Sequence, residues 1–206
     1  MSLTLPTTPK FQTLNIKSNT MTSNSRSVSG RVQRKTSDTQ YWSFTASYPI
    51  GKRSDYGALM AFIVKCRGGF NSFTARLPAY STTQGSLVQA TNTLLVDNSG
   101  GYAIGTTQLA VDVSPGVNIT GALKAGDFIT FANHNKVYMV VEDLDIDGSG
   151  DGTLTIEPPL IASVADDETI TYGDVQFTCK LNGDVQEFSA GLGDTIKYEI
   201  DIVEDI

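Results

Sequence analysis

The chain alternates apolar and polar residues in most of its legible stretches and repeats at helical spacing in one. Residues 41–48 set Trp42, Phe44, Ala46 and Tyr48 against Tyr41, Ser43, Thr45 and Ser47. This period of two predicts a strand with one buried face, and Pro49 ends it. Residues 195–203 repeat the pattern, with Ile196, Tyr198, Ile200 and Ile202 opposed to Lys197, Glu199 and Asp201. Helical spacing joins Leu59, Phe62, Ile63 and Cys66 at i, i+3, i+4 and i+7. It predicts an amphipathic helix over about 54–67. Ser54 is the expected cap, Asp55 favours the positive end of the dipole, and Gly68-Gly69 stops the helix.

The remaining pattern is short and β-like. Phe73, Ala75 and Leu77 share one face of a strand that Pro78 ends. Leu14-Asn15-Ile16 begins an alternation, Ser18–Ser25 reads as a polar loop, and Val28–Lys35 as a strand with a basic face. Pro6 and Pro9 make residues 1–10 an extended arm. From about residue 85, strands are expected at 86–91, 94–97, 108–113, 127–132, 136–142, 152–156, 169–172 and 175–181. Their spacing is that of an all-β unit. Asn133-His134-Asn135 and Asp147–Gly152 serve as hairpin connections. Nineteen glycines and few charged helix-formers agree with a mainly β fold. At 206 residues the chain can bury one large core or two small ones. Its composition is globular, with no apolar run near bilayer length and no leader-like pattern after Met1, so synthesis in the cytoplasm is expected.

Charge changes the picture. Residues 1–80 hold eleven Lys/Arg and two acids, a net of +9, whereas residues 81–206 hold four Lys/Arg and twenty acids, a net of −16. Both parts interleave charge with apolar residues, so neither is a charged tail. The basic part of one copy can meet the acidic part of another, which favours head-to-tail rings, one face can attract or repel a polyanion, or the charge is solvated surface with no partner.

Candidate chemistry is sparse. Asp143, Asp145, Asp147 and Gly148 stand at positions 1, 3, 5 and 6 of an EF-hand-like loop, with Asp151 at position 9. Position 12 is Leu154 instead of the bidentate Glu, and the flanks read as strands, so a solvated acidic tip is the expected state and Asp143, Asp145, Asp147 and Asp151 are a weak calcium set at most. His134 is the only histidine, which leaves nucleophile–histidine sites and Cys/His zinc sites short of members. Cys66 and Cys179 sit among apolar neighbours and read as buried free thiols. No catalytic residue, cofactor or metal is therefore expected. Arg31, Arg34 and Lys35 with Tyr41 and Trp42 form a basic-aromatic cluster, but alternation puts Trp42 in the core, which favours a basic sheet face over nucleic-acid contact.

The order of features resembles structural proteins of bacteriophage tails, of the distal tail or tail-tube class. The resemblance lies in Gly30-Arg-Val-Gln-Arg34, the strand around Trp42, Ala61-Phe62-Ile63, Gly68-Gly-Phe70 through Pro78, Leu123-Lys-Ala-Gly-Asp-Phe-Ile129, Val137-Tyr-Met139 and Thr153 to Leu160. It implies a β-sandwich with one flanking helix, formed by residues 1–82 and 169–206, and a small β-barrel inserted at 83–168. It also implies a virion protein, made in the host bacterial cytoplasm, that forms a trimeric or hexameric ring with itself and meets other tail proteins. DNA would pass through the lumen without specific binding, and no membrane is involved. Arg31, Arg34, Lys35 and Arg53 are the expected subunit contacts, together with the helix and the N-terminal arm. The alternatives are a capsid decoration or head-tail connecting protein, and a carbohydrate-binding tail-tip module using Trp42, Tyr80 or Tyr102 as stacking platforms. A hydrolase built on an acid pair ranks below these, because no pocket chemistry can be named.

Overall fold

The computed structural model describes residues 3–191, 193 and 195–206, with backbone alone at 37 and 38; residues 1 and 2 of the expected arm lie outside them. The described strands are, in chain order, β1 (Leu3–Thr4), β2 (Thr13–Arg26), β3 (Val32–Ser47), β4 (Gly51–Lys52), β5 (Phe73–Arg76), β6 (Thr93–Val96), β7 (Gln108–Ser114), β8 (Ile119–Leu123) and β9 (Phe128–Phe131). They continue as β10 (Tyr138–Val140), β11 (Leu144–Ile146), β12 (Asp151–Glu157), β13 (Thr169–Thr171), β14 (Gln176–Leu181), β15 (Ser189–Gly191), β16 (Thr195–Lys197) and β17 (Glu199–Glu204). One helix, α1 (Arg53–Cys66), lies between β4 and β5. The fold is mainly β and divides into two units: residues 1–75 with 178–206, and residues 76–177.

The first unit is built on a six-stranded sheet in the order β1-β5-β14-β17-β3-β2, with a small sheet β15-β16-β4. Trp42, Phe44, Ala46 and Tyr48 are buried, as alternation predicts, and so are Ile196, Tyr198, Ile200 and Ile202. The C-terminal run is two strands, however: β16 pairs with β15 and β4, then the chain passes Tyr198 and β17 pairs with β14 and β3. Helix α1 buries Tyr56, Leu59, Phe62, Ile63 and Cys66, and the Phe62 ring meets the edge of Phe73 at 5.0 Å. Ser54 is not its cap. Lys52 occupies that position, and the Asp55 carboxylate accepts its N–H at 3.2 Å. The helix ends with Arg67 in the left-handed region (φ 53°), followed by Gly68 at φ 66°. A Cβ on Gly68 would stand 2.7 Å from Asp184 Oδ1, so this stop needs glycine for space as well as backbone.

The largest departure from the pattern is β2. The expected loop at 18–25 is strand, and the two strands expected at 28–35 and 41–48 are one strand of sixteen residues. Pairing runs from Thr13↔Ser47 to Arg26↔Val32, with a bulge between Thr20 and Thr22. Ser, Thr and Asn show no apolar face because this stretch has none: residues 21–36 are all exposed. The N-terminal arm, by contrast, is tied in. Leu3 and Thr4 pair in parallel with β5, and Leu5 is buried.

The second unit contains a closed barrel, β10-β12-β7-β6-β13-β9. Its inside is filled by Leu94, Val96, Leu109, Val111, Phe131, Tyr138, Val140, Leu154, Ile156 and Ile170, all buried. β13 is a barrel strand, so the chain returns to the first unit at 177/178 instead of 168/169, and it leaves at 75/76 instead of 82/83. β8 and β11, which the pattern does not announce, pair with each other. The expected strand at 86–91 is irregular: Ser86 and Leu87 donate their N–H groups to the carbonyls of Gly121 and Ala122 at 2.9 and 3.1 Å. Gly85 permits that approach, because a Cβ there would lie 2.1 Å from the Ala122 carbonyl oxygen.

Candidate interaction surface

Beyond Thr20 and Gln40 the hairpin of β2 and β3 is a two-stranded ribbon, because β17 pairs with β3 only over Ser43–Ser47. Its turn is closed by the N–H of Ser27 on the Arg31 carbonyl and that of Gly30 on the Ser27 carbonyl, both at 2.9 Å. Gly30, at φ 82°, supplies the left-handed residue the turn requires. Arg26 pairs with Val32 and Arg34 with Asn24, so Arg26, Val32 and Arg34 share one face. Lys35, opposite Ser23, takes the other face, and Arg31 stands at the turn. The structure thus gathers three of the expected contacts, Arg31, Arg34 and Lys35, and adds Arg26. Arg53 does not join them. It begins α1, beyond the opposite end of β3. No acid precedes Asp38, so the ribbon's described side chains carry only positive charge. Three apolar side chains are also open to solvent: Met21 at 67%, Val28 at 110% and Val32 at 52% of full exposure.

The opposite charge collects on the barrel. Residues 76–177 hold three Lys/Arg and thirteen Asp/Glu, a net of −10; the remainder holds twelve and nine, a net of +3. Asp112 lies between buried Val111 and Val113 on β7 and therefore points outward. Its Cα partner across the ladder is Asp151. Like charges directly opposite destabilise an antiparallel pair. Partial burial first, then Asp97, Asp167 and Asp151, raises the Asp112 carboxyl above its ordinary value. Sequence inspection misses this face because two strands, β7 and β12, and the loops after β6 and before β13 supply it. The parity of Asp112 within Leu109-Ala-Val-Asp-Val113 was the available signal.

The calcium candidates are occupied by the fold itself. Asp143 accepts from Lys124 Nζ at 2.7 Å and the Ala125 N–H at 2.9 Å, which together lower its carboxyl below the usual range. Asp145 accepts from the Gly121 N–H at 2.6 Å. Asp147 accepts from the N–H groups of Asp151 and Ser149 at 3.1 and 2.8 Å and is lowered by them. Asp151 supplies an N–H to Asp147 and faces Asp112, so the four carboxylates do not converge as ligands. Among the described residues no three His, Cys, Asp or Glu side chains are clustered to hold a metal ion.

The other candidates are structural. Trp42 is buried, and its backbone N–H donates to Glu204 Oε2 at 3.0 Å. Tyr102 accepts the Ala110 N–H at 2.7 Å and packs on the barrel core, and Tyr80 meets the edge of Phe128 at 5.8 Å. Of the three aromatic residues Trp42 is buried and Tyr80 and Tyr102 are half-buried. His134 Nδ1 hydrogen-bonds the Tyr138 hydroxyl at 2.8 Å, and burial lowers its pKa. Cys66 and Cys179 are buried and free, and burial pushes the Cys66 thiol up to about 11. Among the described residues no helix is long and apolar enough to cross a membrane. No protein-family model matches the chain, and no curated protein matches it.

Proposed function

We propose that the protein is a non-enzymatic structural component of a bacteriophage tail, a hub or tube segment that self-assembles into a ring around the DNA path. The observation that carries the assembly part is the division of charge between two folded units, −10 on one and +3 on the other, with a cationic ribbon standing clear of the first unit's core. A surface of each sign on every copy suits heterologous, head-to-tail contacts, which close into rings. The sequence resemblance to distal tail and tail-tube proteins supplies the tail setting. A ring with seven net negative charges per copy repels phosphate, so duplex DNA slides through a lumen lined by acids.

The test is the mass of the purified protein by light scattering at low and high salt, with electron micrographs of the same fractions. A salt-sensitive ring of about three or six copies is the expected result. A monomer at every salt and concentration would overturn self-assembly. A ring whose lumen is lined by Arg and Lys would overturn the DNA-path assignment.

A further inference from the structure

We infer that the basic ribbon of one copy, residues 21–36, seats on the acidic outer face of a second copy's barrel, around Asp97, Asp112 and Asp151. The inference rests on the self-assembly reading above and names the two surfaces that meet.

The ribbon lacks what normally holds a hairpin. Two strands alone are marginal in water, and each of its residues from 21 to 36 is exposed. Its two edges leave backbone N–H and C=O groups open to solvent beyond the last pairing with β17. Cations on an edge strand also discourage unwanted strand addition, but acids would serve that purpose equally, and the ribbon's described side chains include none. Val28 at the turn and Met21 and Val32 along the stem give it apolar contacts to bury, which a protein partner covers and a phosphate backbone does not. The barrel face has the converse problem. Asp112 and Asp151 stand opposite each other across β7 and β12, and Asp97, just beyond β6, has the same outward parity. A guanidinium laid across that pair removes the repulsion and accepts the geometry of two carboxylates at once. The donor and acceptor surfaces are on every copy, so one contact repeated by rotation closes a ring.

Two triple variants test this. One carries Arg31→Glu, Arg34→Glu and Lys35→Glu; the other carries Asp97→Lys, Asp112→Lys and Asp151→Lys. Each alone puts like charge on both surfaces and is expected to weaken self-association by about tenfold or more. Combined in one chain they restore opposite charge at every contact and recover assembly; mixed as two chains they do so in a ring of even order, where the two variants alternate. Circular dichroism checks that each variant is folded. A further variant, with residues 21–39 replaced by Asn-Gly between the paired Thr20 and Gln40, should not assemble at all. If the wild type assembles and either triple variant assembles equally well, the ribbon–barrel contact is wrong and another surface builds the ring. If the wild type stays monomeric at every salt and concentration, the self-assembly reading fails, and this contact with it. If the ribbon variant loses binding to a duplex oligonucleotide but keeps wild-type self-association, the ribbon's partner is nucleic acid and the inference is overturned.

Discussion

The barrel and the ribbon are both antiparallel strands, but different forces hold them. Every barrel strand presents alternate residues to one apolar interior, and closure leaves it no free edge. The ribbon has the same ladder of backbone bonds, no interior, and two open edges. Hydrogen bonding is common to both, so the difference isolates what burial adds: about 25 cal/mol for each Å² of apolar surface removed from water. The barrel is a stable body whose outer surface is free to carry strained charge. The ribbon is a surface whose shape depends on what it meets.

That difference predicts the largest effect. Phe131→Ala removes a ring that is 1% exposed in the barrel and should cost about 3–5 kcal/mol in urea unfolding. Val32→Ala in the ribbon, at half exposure, should change stability by less than about 0.5 kcal/mol. Equal costs at the two positions would mean that the ribbon packs against something within the same chain. Next in size, Gly85→Ala forces a Cβ against the Ala122 carbonyl and should cost about 1–3 kcal/mol, read in the same way. An unchanged midpoint would show that the 86–87 segment yields easily and does not brace the barrel.

The same contrast decides what the sequence could reveal. Strands with one wet face were legible: Trp42 to Tyr48, Gln108 to Val113 and the residues from Ile196 to Ile202 all alternate, and all bury the expected side chains. α1 was legible for the same reason at a different period. Residues 18–25 were not, because a strand exposed on both faces imposes no apolar pattern on its sequence. β8 and β11 were hidden by brevity, and the C-terminal run concealed its break at Tyr198 because burial parity continues through it. Of the candidate contacts, Arg31, Arg34 and Lys35 were readable as a cluster along the chain. Their proposed counterpart was not, since Asp97, Asp112 and Asp151 become neighbours only through strand register.

A smaller effect separates stability from assembly on the barrel face. Burial and its acidic neighbours raise the folded-state pKa of Asp112, so keeping this carboxyl ionised costs folded stability at neutral pH. Asp112→Asn should therefore raise the free energy of unfolding slightly, by about 0.5 kcal/mol, since the site is only partly buried and solvent screens it. The sign follows from linkage. The advantage of Asn is full above the raised folded value, shrinks as pH falls through it, and is gone below the ordinary 3.8, where Asp112 is protonated in both states. The same variant should weaken self-association, because it removes one of the charges the ribbon would meet. A variant that gains stability and assembles more tightly would show that the acidic face repels its neighbours instead of binding them.

The smallest expected change is in the folding of the ribbonless chain. Thr20 and Gln40 are paired, so Asn-Gly between them closes the hairpin with a turn whose twist suits the strands. The deletion takes away nineteen residues, of which 21–36 are all exposed, and in this reading little burial. Unfolding of the isolated protein should stay within about 0.5 kcal/mol of the parent. Digestion gives the complementary reading. In dilute solution trypsin should cut the intact chain first after Arg26, Arg31, Arg34 or Lys35, where the exposed ladder opens most easily. In assembled fractions those cuts should slow while the fold elsewhere responds as before. Equal cutting in both states would place the ribbon outside the subunit contact, and a ribbonless chain that melts far below the parent would make it part of the chain's own core.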